Sequence, residues 1–221
     1  MASRAPKRVL LICNGESPSR RLVRGLSKLA DSIIAADGGA NTARTCGVRP
    51  DVIIGDMDSV RISTLRHFAE SVVLTVARQD NTDLEKALDF LAAEGEKDVM
   101  VVGATGGRLD FTLANLWVFW KYVARLRLTF RGDGWTAIPV GRHLTRTATR
   151  GTTASLIPFG NCSGITLRGL RYPLENAKMR SGDIAVSNVV RSSPFTVRVQ
   201  KGNMLLVLID PPAGRRGSVR W

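Results

Sequence analysis

Through the first half of the chain, short apolar runs alternate with stretches whose apolar residues recur at helical spacing. Residues 9–13, 32–36, 52–54, 72–76 and 99–102 are brief runs rich in β-branched side chains and read as strands. Between them, Leu22, Val23, Leu26 and Leu29 mark a helix over 18–29, and a short helix from Ala40 is closed by Gly47 and Pro50. Further helices are expected over 63–68, from Thr82 to about Gly95, and over 112–123. Thr82 and Glu85 have the spacing of a capping box. Strand and helix in alternation argue for a mainly parallel sheet with right-handed crossovers, a Rossmann-like α/β domain over 7–125. Past Tyr122 the pattern changes to runs at 126–130, 136–140, 152–157, 165–167, 184–187, 196–199 and 204–209, separated by Gly, Pro, Asn and Ser turns. That half, 126–212, is expected to be all-β and antiparallel, a sandwich or a barrel.

Composition changes this picture little. At 44% hydrophobic and 23% charged over 221 residues, the chain is of ordinary globular type and large enough to bury a core. No apolar run reaches the length of a membrane span, and no signal-peptide pattern follows the first residues, so a cytoplasmic protein is expected. Cys13, Cys46 and Cys162 are widely spaced and form no C-x-x-C pair, which suggests neither a disulfide framework nor a zinc site. Charge is more informative. Residues 1–120 hold 15 Lys/Arg against 15 Asp/Glu, whereas 121–221 hold 17 against 4, so the second half carries the whole net charge of +13. Its arginines are scattered, without a basic run or a nucleic-acid-binding motif, which argues against nucleic acid. Attraction of a phosphorylated substrate, or solubility alone, accounts for the excess as well.

The candidate chemistry lies at the ends of the predicted strands. Gly55 lets the backbone turn after an apolar run, and Asp56 and Asp58 follow it. Asp37, the Asp80/Asp83 pair and Asp110 stand at corresponding places, and in a parallel sheet these strand ends share one edge. Any one of these acids is more often a cap or turn residue; their repetition at successive strand ends is what points to a bound cation. With no Lys adjacent to Asp56 and Asp58 in sequence, the pair favours a Mg²⁺-like ion over a salt bridge. Gly38-Gly39 and Gly106-Gly107 let backbone amides approach a ligand, Arg108 offers a planar donor fork, and Lys86 a mobile positive charge. Phosphate with Mg²⁺ is the joint reading. Neither a P-loop nor a dinucleotide fingerprint is present.

Several stretches together resemble the thiamine pyrophosphokinase family: Ala36-Asp37-Gly38-Gly39-Ala40-Asn41, Pro50-Asp51 with Gly55-Asp56-Met57-Asp58-Ser59, Gln79-Asp80-Asn81-Thr82-Asp83 with Lys86-Ala87-Leu88, and Gly106-Gly107-Arg108-Leu109-Asp110 with Leu113-Ala114-Asn115. In the second half, Ser155-Leu156-Ile157-Pro158, Gly169-Leu170-Arg171-Tyr172-Pro173-Leu174 and Ser187-Asn188 resemble that family's β-sandwich in order and approximate spacing. The resemblance implies transfer of the β,γ-pyrophosphoryl group of ATP to the hydroxyl of thiamine, in a Mg²⁺-dependent homodimer with shared active sites. It implies Asp56, Asp58, Asp83 and Asp110 as metal-holding and, with Arg108, catalytic residues. Asp37, Gly38, Gln79, Asp80, Thr82, Lys86, Gly106 and Gly107 fall to ATP, and Tyr172, Ser187 and Asn188 to thiamine. Three positions depart from the family's pattern: Met57 replaces the usual Phe, Phe111 stands where His or Gln is common, and Val189 where Glu is frequent. Alternative readings are a pyrophosphokinase acting on another hydroxymethyl heterocycle, such as a pterin, and a non-catalytic nucleotide- or RNA-binding relative.

Overall fold

Strand β1 (Arg8–Ile12) lies between β2 (Ser32–Ala36) and β5 (Asp98–Val102), parallel to both, and Val9 through Ile12 are at most 1% exposed. A strand covered on both faces must be apolar at every position rather than at alternate ones, which is why this run is unbroken. The computed structural model describes residues 7–77, 80–96, 98–183 and 185–211. The chain divides into two compact units between Asp133 and Gly134.

In the first unit, β3 (Val52–Gly55) and β4 (Val72–Thr75) extend the sheet beyond β2, and β6 (Arg127–Gly132) extends it beyond β5. The order is β4-β3-β2-β1-β5-β6, and every one of these pairs is parallel. The connections are α1 (Arg20–Ser27), α2 (Gly39–Cys46), α3 (Ile62–His67), α4 (Asp83–Ala93) and α5 (Leu109–Tyr122). Leu10 and Ile12 pack with Val23 and Leu26 of α1 and Ala40 and Ala43 of α2, while α4 lies over β2 and β3. Each fully buried Leu or Ile contributes about 1.5–3 kcal/mol relative to exposure. The expected capping box forms: the Glu85 amide donates to Thr82 Oγ1 at 3.3 Å, and the Thr82 amide to Glu85 Oε2 at 3.2 Å. Helix α5 begins at Leu109, not Thr112, so Asp110 stands in its first turn, where the helix dipole favours an acid.

The second unit contains β7 (Trp135–Val140), β8 (His143–Arg146), β9 (Thr153–Arg168), β10 (Leu174–Met179), β11 (Ala185–Val189), β12 (Phe195–Arg198) and β13 (Lys201–Ile209). Within it the order is β7-β13-β9-β12-β8, with β10 and β11 also paired to β9, all antiparallel. Its core includes Ile138, Leu156, Ile165, Leu167, Phe195, Val197, Met204 and Leu206.

Three expectations change. The run at 126–130, assigned to the β-rich half, becomes β6 and pairs parallel with β5 along its whole length, so the first unit extends past 125. Two runs, 152–157 and 165–167, belong to one strand of 16 residues, β9, while β8 and β10 carry too few apolar residues to stand out in sequence. Across the chain the fold is a mixed sheet with helices. Among the described residues no helix is long and apolar enough to cross a membrane.

Candidate active site

The sheet order reverses direction between β1 and β5, and a cleft of about 860 Å³ opens at the carboxyl ends of these strands. This is where an open α/β sheet offers a crevice, because the connections leave the edge on opposite sides. The cleft is lined from the loops after β1 (Cys13 to Glu16), β3 (Asp58, Ser59) and β5 (Gly103 to Arg108), and from the first turns of α4 and α5.

Asp58 of the cleft lining belongs to an acidic group in which Asp37, Asp56 and Asp58 each present one carboxylate oxygen within 4.8 Å of the others. Asp37 is fully buried just after β2, at φ 43°. Its carboxylate accepts the amides of Ser59 at 3.0 Å and Val60 at 3.1 Å, which anchors the loop carrying the other two acids. Met57, between those acids, sits at φ 68°, a left-handed conformation that costs a non-glycine residue energy and is held only by such anchoring. Burial pushes Asp37 up to about 6 against the pull of the Ser59 amide, and hydrogen bonding with Asp58 adds to the rise. Three hard oxygens in this arrangement, one of them resisting ionisation, suit a small divalent cation.

Lys86 corrects two expectations. Its side chain is 2% exposed, and Nζ lies 2.8 Å from Asp56 Oδ2 and 2.9 Å from Asp83 Oδ1. Asp56 therefore does have a lysine partner, and Lys86 is a fixed charge, not a mobile one. Burial pulls Lys86 down, but the hydrogen bonds to Asp56 and Asp83 outweigh it and its pKa rises; Asp56 is held low chiefly by the same hydrogen bond. Asp83 is joined to the acidic group through Lys86, and its charge adds to the rise of Asp37. Asp110 pairs instead with Arg108, Nη2 to Oδ2 at 2.5 Å, and both side chains are exposed. Among the described residues, the group that could hold a metal is thus Asp37, Asp56 and Asp58, without Asp83 and Asp110.

Of the remaining nucleotide-site candidates, Thr82, Gly106 and Gly107 line the same cleft. Asp80 is exposed ahead of α4, Thr82 caps that helix, and Gln79 lies outside the described residues. Gly38 starts α2 so close to the neighbouring loop that a Cβ there would meet Asn14 Nδ2 at 2.3 Å. Gly106, at φ 81°, donates its amide to Thr112 Oγ1 at 3.0 Å, so Gly107 and Arg108 are the better-placed donors of that loop. Arg108 also lies over the Phe111 ring, 4.4 Å from its centroid.

Sequence reasoning missed Asn14, Gly15 and Glu16. The Gly15 amide donates to Gly103 O at 2.6 Å and the Glu16 amide to Thr105 O at 2.9 Å, so this loop forms one wall of the cleft. An Asn-Gly step after the first apolar run was the available signal. Also missed was the restraining role of Asn115, which donates Nδ2 to Ala104 O at 2.8 Å.

In the second unit, Tyr172, Ser187 and Asn188 come together. Asn188 is 7% exposed; its Oδ1 accepts the Tyr172 amide at 2.9 Å and its Nδ2 donates to Tyr172 O at 2.8 Å. Its amide is therefore committed to the Tyr172 backbone. Ser187 is exposed at φ 62°, and the Tyr172 ring is exposed as well.

Fold and cleft define the class: an α/β unit with an acidic, glycine-lined site at the sheet's switch point, followed in the chain by a β-rich unit. Two family models match it, the thiamin pyrophosphokinase catalytic domain over residues 23–130 and the thiamin pyrophosphokinase vitamin B1 binding domain over 142–204. The chain belongs to the thiamine pyrophosphokinase family. It is 31% identical over 229 residues to thiamine pyrophosphokinase 2 of Oryza sativa subsp. japonica, covering 89% of this chain and 84% of the relative. It is 29% identical over 182 residues to thiamine pyrophosphokinase of Bacillus subtilis, covering 79% and 85%. The crystal structure of the thiamine pyrophosphokinase from Bacillus subtilis shares the fold, with a TM-score of 0.81 at 24% identity over 93% of this chain and 100% of that one.

Proposed function

We propose that this chain is a thiamine pyrophosphokinase, transferring the β,γ-pyrophosphoryl group of ATP to the hydroxyl of thiamine. The thiamine oxygen forms a bond to the β-phosphorus, the bond between that phosphorus and the α–β bridging oxygen breaks, AMP leaves, and the hydroxyl proton passes to a carboxylate or to water. The observation that carries this reading is the Asp37, Asp56 and Asp58 group at the end of a cleft walled by Gly107 and Arg108. Those three acids would hold Mg²⁺, which when bound supplies positive charge to the phosphate chain. Lys86 keeps Asp56 ionised and oriented, and Arg108 offsets charge on the transferred oxygens. A loose transition state asks little of a base, so positioning and charge carry most of the acceleration. The pterin and non-catalytic alternatives are not favoured by the relatives, all of which are named thiamine pyrophosphokinases.

The finer structural reading belongs with this proposal: a Rossmann-like first unit, and a sandwich-type second unit that takes thiamine at Tyr172 and Ser187. A homodimer with shared sites is part of it. An equimolar mixture of Asp83→Asn and Ser187→Trp proteins, each impaired alone, should regain activity after subunit exchange. Purified protein with ATP, Mg²⁺ and thiamine should yield thiamine pyrophosphate and AMP; release of ADP instead would overturn the assignment.

A further inference from the structure

Phe111 is the aromatic residue among those that line the cleft, and it departs from its family's pattern. It stands in the first turn of α5 and is 44% exposed, so its ring is open to a molecule that enters the cleft. Arg108 lies over the ring at 4.4 Å, and Asp110 grips the same guanidinium through Nε at 3.2 Å and Nη2 at 2.5 Å. The three side chains form a stacked, charge-balanced platform, with both Phe111 and Arg108 on the cleft wall.

The geometry points to Phe111, stacked with Arg108, as the platform on which the base of the nucleotide lies, and so as a nucleotide-binding residue of this chain. This rests on the function proposed above and deepens it. A planar heteroaromatic ring is the ligand chemistry that covers such a surface, since ring and guanidinium faces both accept stacking. Two rings are available to the reaction, the adenine of ATP and the aminopyrimidine of thiamine. Donor chemistry decides between them. The Arg108 guanidinium, gripped by Asp110 through Nε and Nη2, keeps Nη1 as a donor for a phosphate of the nucleotide, whereas it offers nothing to the cationic thiazolium that accompanies the pyrimidine. With the acids and the cation they would hold at one end of the cleft and the platform on α5, a molecule with an anionic tail and a neutral ring meets complementary groups at both ends.

Stacking on an aromatic side chain is sequence-tolerant, so the platform should take any purine nucleotide, with a strength set by the ring and not by hydrogen bonds. Phe111→Leu, which keeps apolar bulk but removes the π-face, should raise the KM for ATP roughly tenfold or more, with kcat and the KM for thiamine near native. Phe111→Tyr should restore the native KM, an outcome that a purely packing role for bulk would not separate from Leu. A direct reading comes from Phe111→Trp, with the native chain as the fluorescence baseline. AMP should change the emission of the added indole, and inorganic tripolyphosphate with Mg²⁺ should not. A response to thiamine in place of AMP would overturn the assignment to the nucleotide, and so would a native KM for ATP in Phe111→Leu. Neither result touches the proposed reaction, which is judged separately by whether the native chain forms thiamine pyrophosphate and AMP.

Discussion

The two units assemble their candidate sites in different ways. In the α/β unit, Asp37 comes from the end of β2, Asp56 and Asp58 from the loop after β3 and Lys86 from α4, and parallel strand ends gather them. Charge is organised against charge there, with one buried lysine holding Asp56 and Asp83 and one buried aspartate anchoring the loop of the other two. In the β-rich unit, Tyr172, Ser187 and Asn188 are gathered by hydrogen bonds between chain segments, and a neutral amide does the organising. The contrast shows where each unit is vulnerable. Removing a partner in the first strands a desolvated ion, whereas removing one in the second leaves unpaired backbone amides, which cost less.

The largest effect should follow from Lys86→Met. It leaves Asp56 and Asp83 without their cation; breaking a fully buried pair costs about 3–5 kcal/mol, and because these carboxylates are 18% and 34% exposed the loss should fall at or below the lower end of that range. Urea denaturation should show this loss, and addition of Mg²⁺ should recover part of it if the acids then bind the ion. A native unfolding midpoint would mean that the pair adds nothing to stability.

Asp58→Asn should leave the fold intact, because Asn keeps the acceptor for the neighbouring Ser59 Oγ, at 2.8 Å, and can still hydrogen-bond the Asp37 carboxyl. The expected change is a fall in kcat of about a hundredfold or more at saturating Mg²⁺ and ATP, the usual scale for losing one charge-stabilising group. Unchanged kcat would return this loop to the status of a solvated turn.

Asn188→Ala tests the other unit. The Tyr172 amide and carbonyl lose their partner, at about 1–3 kcal/mol, and the ring loses its fixed position. The KM for thiamine should rise by around tenfold while that for ATP stays near native, and Asn188→Asp, which keeps the acceptor, should lie between. Equal increases in both constants would show that Asn188 serves general stability and not the Tyr172 position.

The smallest effect is expected at the α4 cap. Thr82→Ala removes the acceptor for the Glu85 amide and should lower stability by about 1 kcal/mol, visible as a shift in the thermal midpoint. Because α4 carries both Asp83 and Lys86, kcat would also fall if the cap positions the acidic group; an unchanged kcat would confine Thr82 to stability.

What could be read in advance was local. The Thr82/Glu85 capping box, the unbroken apolar run of β1 and the placing of acids after strands depend on residues within a turn or a strand of each other. They appear in the structure as expected. The run at 126–130 joins the first unit and not the β-rich one, because a strand's sequence does not name its partner and pairing with β5 decides it. β9 was split because Pro158, Gly160 and Gly164 mark turns in an isolated sequence, yet β13, β11, β10 and β12 pair along its length and carry it through.

The sequence by itself determined the alternation of elements, the change of architecture near the middle of the chain, and the residue types available at each strand end. Periodicity and charge are properties of neighbours along the chain. Tertiary structure decided which acids share a site: Asp37 joins Asp56 and Asp58, while Asp83 is tied through Lys86 and Asp110 is turned toward Arg108. It also committed the Asn188 amide to the Tyr172 backbone. The physical reason is the same in each case. A charged or amide side chain goes to the partner that best satisfies it in space, and that partner is set by strand order and by backbone conformations such as those of Asp37 and Met57, which no local pattern encodes.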